Sequence, residues 1–318
     1  MIKYVKFFET DGIETLALSI RSCIVVFVTL LMITAVSQAE TNTGGKEAIL
    51  LAHPKQTGMG QPFLVRLTSA QAFDRISVRW MDREFVPSVS VWNRRHVAIA
   101  MLGTDILTTK PGPQKLLIRA WAGEKETVRQ RWILIVARTY PRQELNLPSK
   151  MVTPPTVELE RIKAERTRTQ KAKNTWSDQR LWQLPFPRPV EGKNTSLYGL
   201  QRVLNGKPKD PHRGLDFTAP TGTAVKAVAD GRVILAESHY YASNSMYIDH
   251  GNGVISLYFH LNKFDVIQGD IVNKGQIIGQ SGCTDRATGP HLHLSISVQG
   301  QLVDPMPMFE KTSDQLIR

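Results

Sequence analysis

Between Ala48 and Ala137 the chain is a succession of short runs rich in β-branched and aromatic residues, each closed by turn formers: AILLAHP, PFLVRLTS, RISVRWM, VSVWN, HVAIAML, QKLLIRAWAG and TVRQRWILIVA. Apolar and polar side chains alternate most clearly from Arg75 to Trp80 and from Leu116 to Trp121. Residues two apart on a strand share a face, so this pattern buries one side of a sheet and wets the other, which a helix cannot do. Six or seven strands at this spacing predict a small immunoglobulin-like β-sandwich over residues 46–138. Trp80, Trp92, Trp121 and Trp132 sit inside the strand pattern and are expected to pack in its core and between its sheets rather than to form a carbohydrate platform.

A second β-rich block runs from Trp182 to Phe309, with AVKAVADGRVILAES, SMYIDHG, GVISLYFHL and HLHLSISV separated by Gly-Asn-Gly and Asp-Gly turns. These describe antiparallel hairpins with almost no helix, an all-β domain over 182–310 followed by a tail at 311–318. Between the blocks, residues 139–181 form a linker: Thr139 to Pro155 is punctuated by proline, and Val157 to Lys173 reads as a charged helix. Its narrow apolar stripe of Val157, Ile162 and Ala164 suits a surface or a bridge between domains. The expected fold is therefore mostly β: a sandwich, a short linker helix and an antiparallel sheet domain.

The apolar run from Cys23 to Val36, CIVVFVTLLMITAV, follows Arg21 and precedes Ser37-Gln38-Ala39, the small residues that a signal peptidase reads. Residues 1–39 are thus expected to be a secretory signal cleaved after Ala39, with a retained anchor as the alternative, since a spanning helix takes about 20 apolar residues. Glu9, Asp11 and Glu14 make residues 1–20 long and acidic for such a signal, as if translation starts further in or the segment stays as a cytoplasmic tail. The two cysteines are Cys23 and Cys283, so a processed chain keeps one thiol and no internal disulfide. A net charge of +12 favours anionic wall polymers or membrane surfaces in an exported protein. No motif with interleaved aromatics supports nucleic acid as a partner.

The chemistry lies in the histidines. His212-Arg-Gly-Leu-Asp216 is followed far along the chain by His291-Leu-His293 on a strand, where the two rings share a face. A catalytic zinc site takes three ligands from His and carboxylate and leaves the fourth position to water, and these residues can supply them. H-x-x-x-D alone is weak; with H-x-H, Gly289-Pro290 before it and Tyr258-Phe259-His260 on another strand, the constellation is strong. His250 reads as a structural turn residue, and Cys283 as no nucleophile.

Taken together, Tyr198-Gly199-x-x-Arg202, HRGLDF at 212–217, APTGTAVKAVADGRV at 219–233, YIDHGNG at 247–253, LYFHL at 257–261, GQIIGQSG at 275–282 and TGPHLHLSI at 288–296 resemble the lysostaphin-type, or LytM-type, zinc metallopeptidases. The resemblance covers about residues 182–309. It implies His212, Asp216 and His293 as zinc ligands, His260 and His291 as the catalytic histidines beside the metal-bound water, and Asn244 as a substrate contact or a loop-structural residue. It implies peptidoglycan as substrate, cut at stem-peptide cross-links between D-alanine and meso-diaminopimelate. Rival expectations are a non-catalytic activator of a wall amidase, whose signature would be lost ligands, and proteolysis of exported proteins. The sequence departs from the family at Asp285 and in Glu237 to Ser245, which lacks the glycines common in the groove-lining loop.

Overall fold

The computed structural model describes residues 49–145, 154–283 and 289–318. The signal segment, residues 146–153 of the proline-punctuated linker and Asp285 lie outside the described residues.

Alternating strands build the sandwich as expected. Its first sheet is ordered Ile49–Ala52, Pro62–Ser69, Arg95–Gly103, Val89–Trp92; its second is Gln56–Gly58, Lys125–Val136, Gly112–Ala122, Arg75–Trp80, Arg83–Phe85. Phe63, Val65 and Leu67 face Ala98, Ala100 and Leu102 and the second sheet's Ile76, Val78, Ile118 and Ile133 in one core. The intervening Leu64 and Met101 point the other way and are also fully buried, within the core of the carboxy-terminal domain. The first sheet is therefore buried on both faces where it meets that domain.

Only one of the four tryptophans considered above is a core residue. Trp80 is buried and donates its indole N–H to the Gly103 carbonyl at 2.9 Å. Trp92 and Trp132 are 69% and 58% exposed, and Trp121 is half-buried under the Arg75 guanidinium, 3.8 Å from its ring centroid. Trp92 closes the edge hairpin and Trp132 lies on the outer face of a long strand, so position in a strand did not fix which face each presents.

The linker helix spans Leu159–Lys173 after a 3-10 turn at Thr156–Glu158. Its buried residues are Glu165 and Ala172, not the expected apolar stripe: Val157 is 85% exposed. The linker also supplies a strand, Arg142–Leu145, which runs parallel to Gln201–Leu204.

The carboxy-terminal sheet runs Asn194–Ser196, Leu215–Thr218, His291–Val298, Val254–Phe264, Ser243–Asp249, Gly231–His239, Ile271–Val272, with neighbours antiparallel. One face carries the large core, including Phe217, Tyr258, Leu292 and Leu294. The opposite face carries Leu257, Tyr247 and Leu302, against which Ala172 of the linker helix packs. The expected tail is part of the fold: Ser313–Ile317 is a short helix with a capping box at Thr312, and its Leu316 and Ile317 enter the main core.

Candidate active site

Strand register creates the site. Asp216 lies directly opposite His293 in the antiparallel pair, and Phe259 flanks His293 from the other side. The Phe259 and His293 rings are stacked, with centroids 5.2 Å apart and an interplanar angle of 3°. His291, two residues before His293, shares its face. His212 precedes the strand and is brought back to Asp216 by the intervening loop. Gly214 permits this approach: a Cβ there would lie 2.5 Å from the Leu294 carbonyl oxygen and 2.6 Å from His293 Nε2.

Three donor atoms converge. His212 Nε2 is 3.0 Å from Asp216 Oδ1 and 2.9 Å from His293 Nδ1, and His293 Nδ1 is 2.8 Å from Asp216 Oδ1. Each imidazole has its tautomer set from outside this triangle. His212 Nδ1 donates to the Leu197 carbonyl at 2.9 Å, so Nε2 is bare. Ser295 gives its only hydroxyl proton to the Arg213 carbonyl at 2.8 Å, so its oxygen accepts from His293 Nε2 at 2.8 Å and Nδ1 is bare. With both tautomers set this way, two nitrogen lone pairs and a carboxylate oxygen face one another. A cation satisfies all three, and in its absence a proton must do so. Zinc bonds of about 2.0–2.2 Å to nitrogen and oxygen are within reach of these atoms, so the residues fit the metal.

The electrostatics agree. Burial pushes His293 down to about 4, opposed by Asp216, so the ring is neutral near pH 7. Burial alone would raise the Asp216 carboxyl, but in the metal-free site a proton shared with His212 and His293 outweighs it and holds the group well below the usual carboxylate range. Arg202 Nη2 lies 3.4 Å from the other oxygen, Asp216 Oδ2, and adds a compensating charge.

Two further histidines flank the triangle. His291 donates from Nδ1 to the Gly289 carbonyl at 2.9 Å, which leaves Nε2 bare and 3.8 Å from Asp216 Oδ1. His260 arrives by a different route. Asn244 pairs with Leu261 and Met246 with Tyr258, so Phe259 and His260 together oppose Ser245 in a β-bulge, and His260 has φ +61°. In a regular strand His260 would point away from Phe259. The bulge instead turns its ring to within 4.9 Å of His291 and 6.4 Å of His293, measured between centroids. Its Nδ1 is buried without a hydrogen-bond partner, and burial, with the neighbouring rings, pushes its pKa down to about 3.

All five expected residues thus meet on one sheet face. Asn244 binds within the fold, its amide donating to the Asn262 carbonyl at 3.4 Å. His250 is fully buried, bonded through Nδ1 to the Asp230 carbonyl and through Nε2 to Ser256 Oγ, each at 2.7 Å. Cys283 is exposed. Arg202, Gly214 and Ser295 each lie inside a quoted motif, and what marks them is contact with a candidate ligand residue, which spacing does not encode. Beside the site a cavity of about 1240 Å³ is walled by Asp105 and Leu107 of the sandwich, Arg166 and Lys173 of the linker helix, and Tyr247 and Phe259 of the sheet.

A mostly β protein whose antiparallel sheet closes two imidazoles and a carboxylate onto one point presents a candidate metal centre. Residues 210–305 match the model of peptidase family M23, so the chain carries an M23 peptidase domain. It is 47% identical over 96 residues to peptidoglycan DD-endopeptidase ShyA of Vibrio cholerae, a match covering 30% of this chain and 22% of the relative. DD-carboxypeptidase/endopeptidase Mpg of Neisseria meningitidis is 44% identical over 95 residues, with the same coverages of 30% and 22%. The match therefore spans about a fifth of these curated relatives. A solved peptidase M23 structure from Pseudomonas aeruginosa superposes with a TM-score of 0.58 at 29% identity, covering 77% of this chain and 92% of that one. That coverage exceeds the M23 match, so the shared architecture extends beyond the peptidase domain.

Proposed function

We propose that this chain is a zinc-dependent endopeptidase that hydrolyses the amide between D-alanine and meso-diaminopimelate in peptidoglycan cross-links, acting in the cell envelope after export and cleavage following Ala39. The observation that carries the reading is the triangle of His212 Nε2, Asp216 Oδ1 and His293 Nδ1, with edges of 2.8–3.0 Å and two more histidines beside it. The activities named for ShyA and Mpg support the choice of bond. A non-catalytic amidase activator has no need of this complete set.

His212, Asp216 and His293 would hold the ion, with Arg202 engaging the second Asp216 oxygen so that Oδ1 is the ligand atom. Zinc bound there polarises the scissile carbonyl and lowers the pKa of water to near 7. His291 Nε2, bare because Nδ1 is committed to Gly289, accepts the proton of the attacking water and passes it to the leaving amine. His260, neutral and with an unpartnered Nδ1, donates to the carbonyl oxygen as it gains charge.

The test is to incubate the protein, with zinc or with chelator, on purified cross-linked peptidoglycan and to resolve the fragments by mass spectrometry; absence of chelator-sensitive cleavage would refute the reading. His293→Ala should lose zinc and activity together. His260→Ala should keep zinc and lose about 10²–10³ in kcat, the cost of an oxyanion donor. Full activity in either variant removes the role assigned to that residue.

A further inference from the structure

The linker helix buries a carboxylate whose bonds reach the active site through a single turn. Glu165 is 5% exposed on a helix whose only other buried residue is Ala172. A buried carboxylate is costly unless it is bonded, and this one is bonded on both oxygens. Oε1 accepts from Arg161 Nε at 2.8 Å, and Oε2 accepts from the backbone N–H of Tyr240 at 2.9 Å. Tyr240 belongs to the turn between Gly231–His239 and Ser243–Asp249. The helix grips that hairpin a second time, since Arg168 Nε donates to Glu237 Oε1 at 2.8 Å and His239 Nε2 meets the same oxygen at 2.8 Å.

Two residues beyond Tyr240, the Ala242 carbonyl accepts the backbone N–H of His260 at 3.0 Å. His260 is the bulged residue at φ +61°. A non-glycine residue in that region is strained and persists only where its surroundings over-determine it. The bulge supplies part of that constraint and the Ala242 carbonyl another. A helix outside residues 210–305 therefore fixes the turn whose carbonyl holds His260 in its unusual conformation.

The geometry points to Glu165 as a positioning residue: through Tyr240 and Ala242 it aims the His260 imidazole at the metal triangle. The inference rests on the proposed role of His260. It touches none of the metal ligands, so its effect separates from metal binding.

Glu165→Ala and Glu165→Gln, each in the full chain and zinc-loaded, test it on a soluble cross-linked muropeptide dimer. Glu165→Ala should lower kcat by about 10-fold to 100-fold, the range for a catalytic group displaced by about 1 Å, while KM and zinc affinity, measured by chelator competition, stay within about 2-fold. Glu165→Gln should recover most of the loss, because its amide oxygen still accepts from Tyr240. Hydrogen exchange should quicken in Glu165→Ala at the Tyr240 and His260 amides but not at Ile248. Unchanged kcat, loss of zinc in Glu165→Ala, equal damage in both variants, or unaltered exchange at His260 would each overturn the inference. If the wild-type protein leaves the dimer uncut, the proposed function fails while the exchange measurement still reports on the contact chain.

Discussion

His250 and His293 look alike in the sequence, a histidine in a short motif, yet the fold uses them differently. His293 keeps one nitrogen bare for a cation. His250 spends both nitrogens on Asp230 and Ser256, and Ser256 Oγ in turn lies 3.2 Å from Tyr258 OH. Burial pushes His250 from its ordinary value of 6.5 down to about 4. Its folded pKa is depressed, so its contribution to stability is complete above about pH 6.5 and is lost as pH falls through 4. By linkage, 2.5 pH units correspond to at most about 3 kcal/mol. His260 and His293 are depressed in the same direction, so the metal-free protein should lose stability steeply across this window. Urea titrations at pH 7.5 and 4.5 should show His250→Gln losing less over that interval than wild type; equal losses would mean that His250 does not set the acid limb. The five candidate residues stand out in the sequence because their types and spacing suit zinc chemistry. The tautomers were not, because they depend on Leu197, Ser295 and Gly289, whose contacts exist only once the chain has folded.

At the scale of elements, strand periodicity explains most of what was legible. Period two placed His291 and His293 on one face, and the antiparallel register then put Asp216 opposite His293. It fails where the strand is irregular. Nothing in Tyr258-Phe259-His260-Leu261 announces a bulge, yet without it His260 would point away from the site. The linker helix is legible in the sequence, but its buried face is not, because a buried Glu165 is governed by partners outside the helix rather than by hydropathy. Gly214 is the corresponding device in the first ligand motif. Adding one methyl group there places a carbon against the Leu294 carbonyl and the His293 ring, both held in the central strand. Backbone at that distance cannot yield without moving the His212 loop, and overpacking of this kind costs typically about 1–3 kcal/mol. Gly214→Ala should therefore weaken zinc binding in chelator competition, more than it lowers the melting temperature of the metal-free protein. Wild-type zinc affinity in this variant would mean that the loop relaxes freely.

For the whole of residues 49–318, two β blocks were legible from turn spacing, but their fusion was not. Pro62–Ser69 begins with consecutive buried residues, Phe63, Leu64 and Val65, where an exposed outer face would require alternation. That departure is the sequence trace of the junction: Phe63 and Val65 belong to the sandwich core, while Leu64 and Met101 join Val298, Val303 and Trp182 in the core beneath the metal-site sheet. Gly103 lies so close to Val303 that a Cβ would come within 2.4 Å of its side chain. Asp105, just beyond, accepts the Leu302 N–H at 3.2 Å and faces Arg213, the residue after His212, at 3.4 Å. Such a seam couples the two β layers energetically, in contrast to an accessory module tethered by a flexible linker. Leu64→Ala removes a fully buried side chain from that seam and should cost about 2–5 kcal/mol. At roughly 2–4 °C per kcal/mol for chains of this order, the melting temperature should fall by on the order of 10 °C. Calorimetry should show one transition moving as a whole, with Trp80 fluorescence and loss of bound zinc changing together. Two transitions, with only the sandwich shifted by Leu64→Ala, would mean that the peptidase sheet folds without its neighbour and that the amino-terminal layer is a separable module.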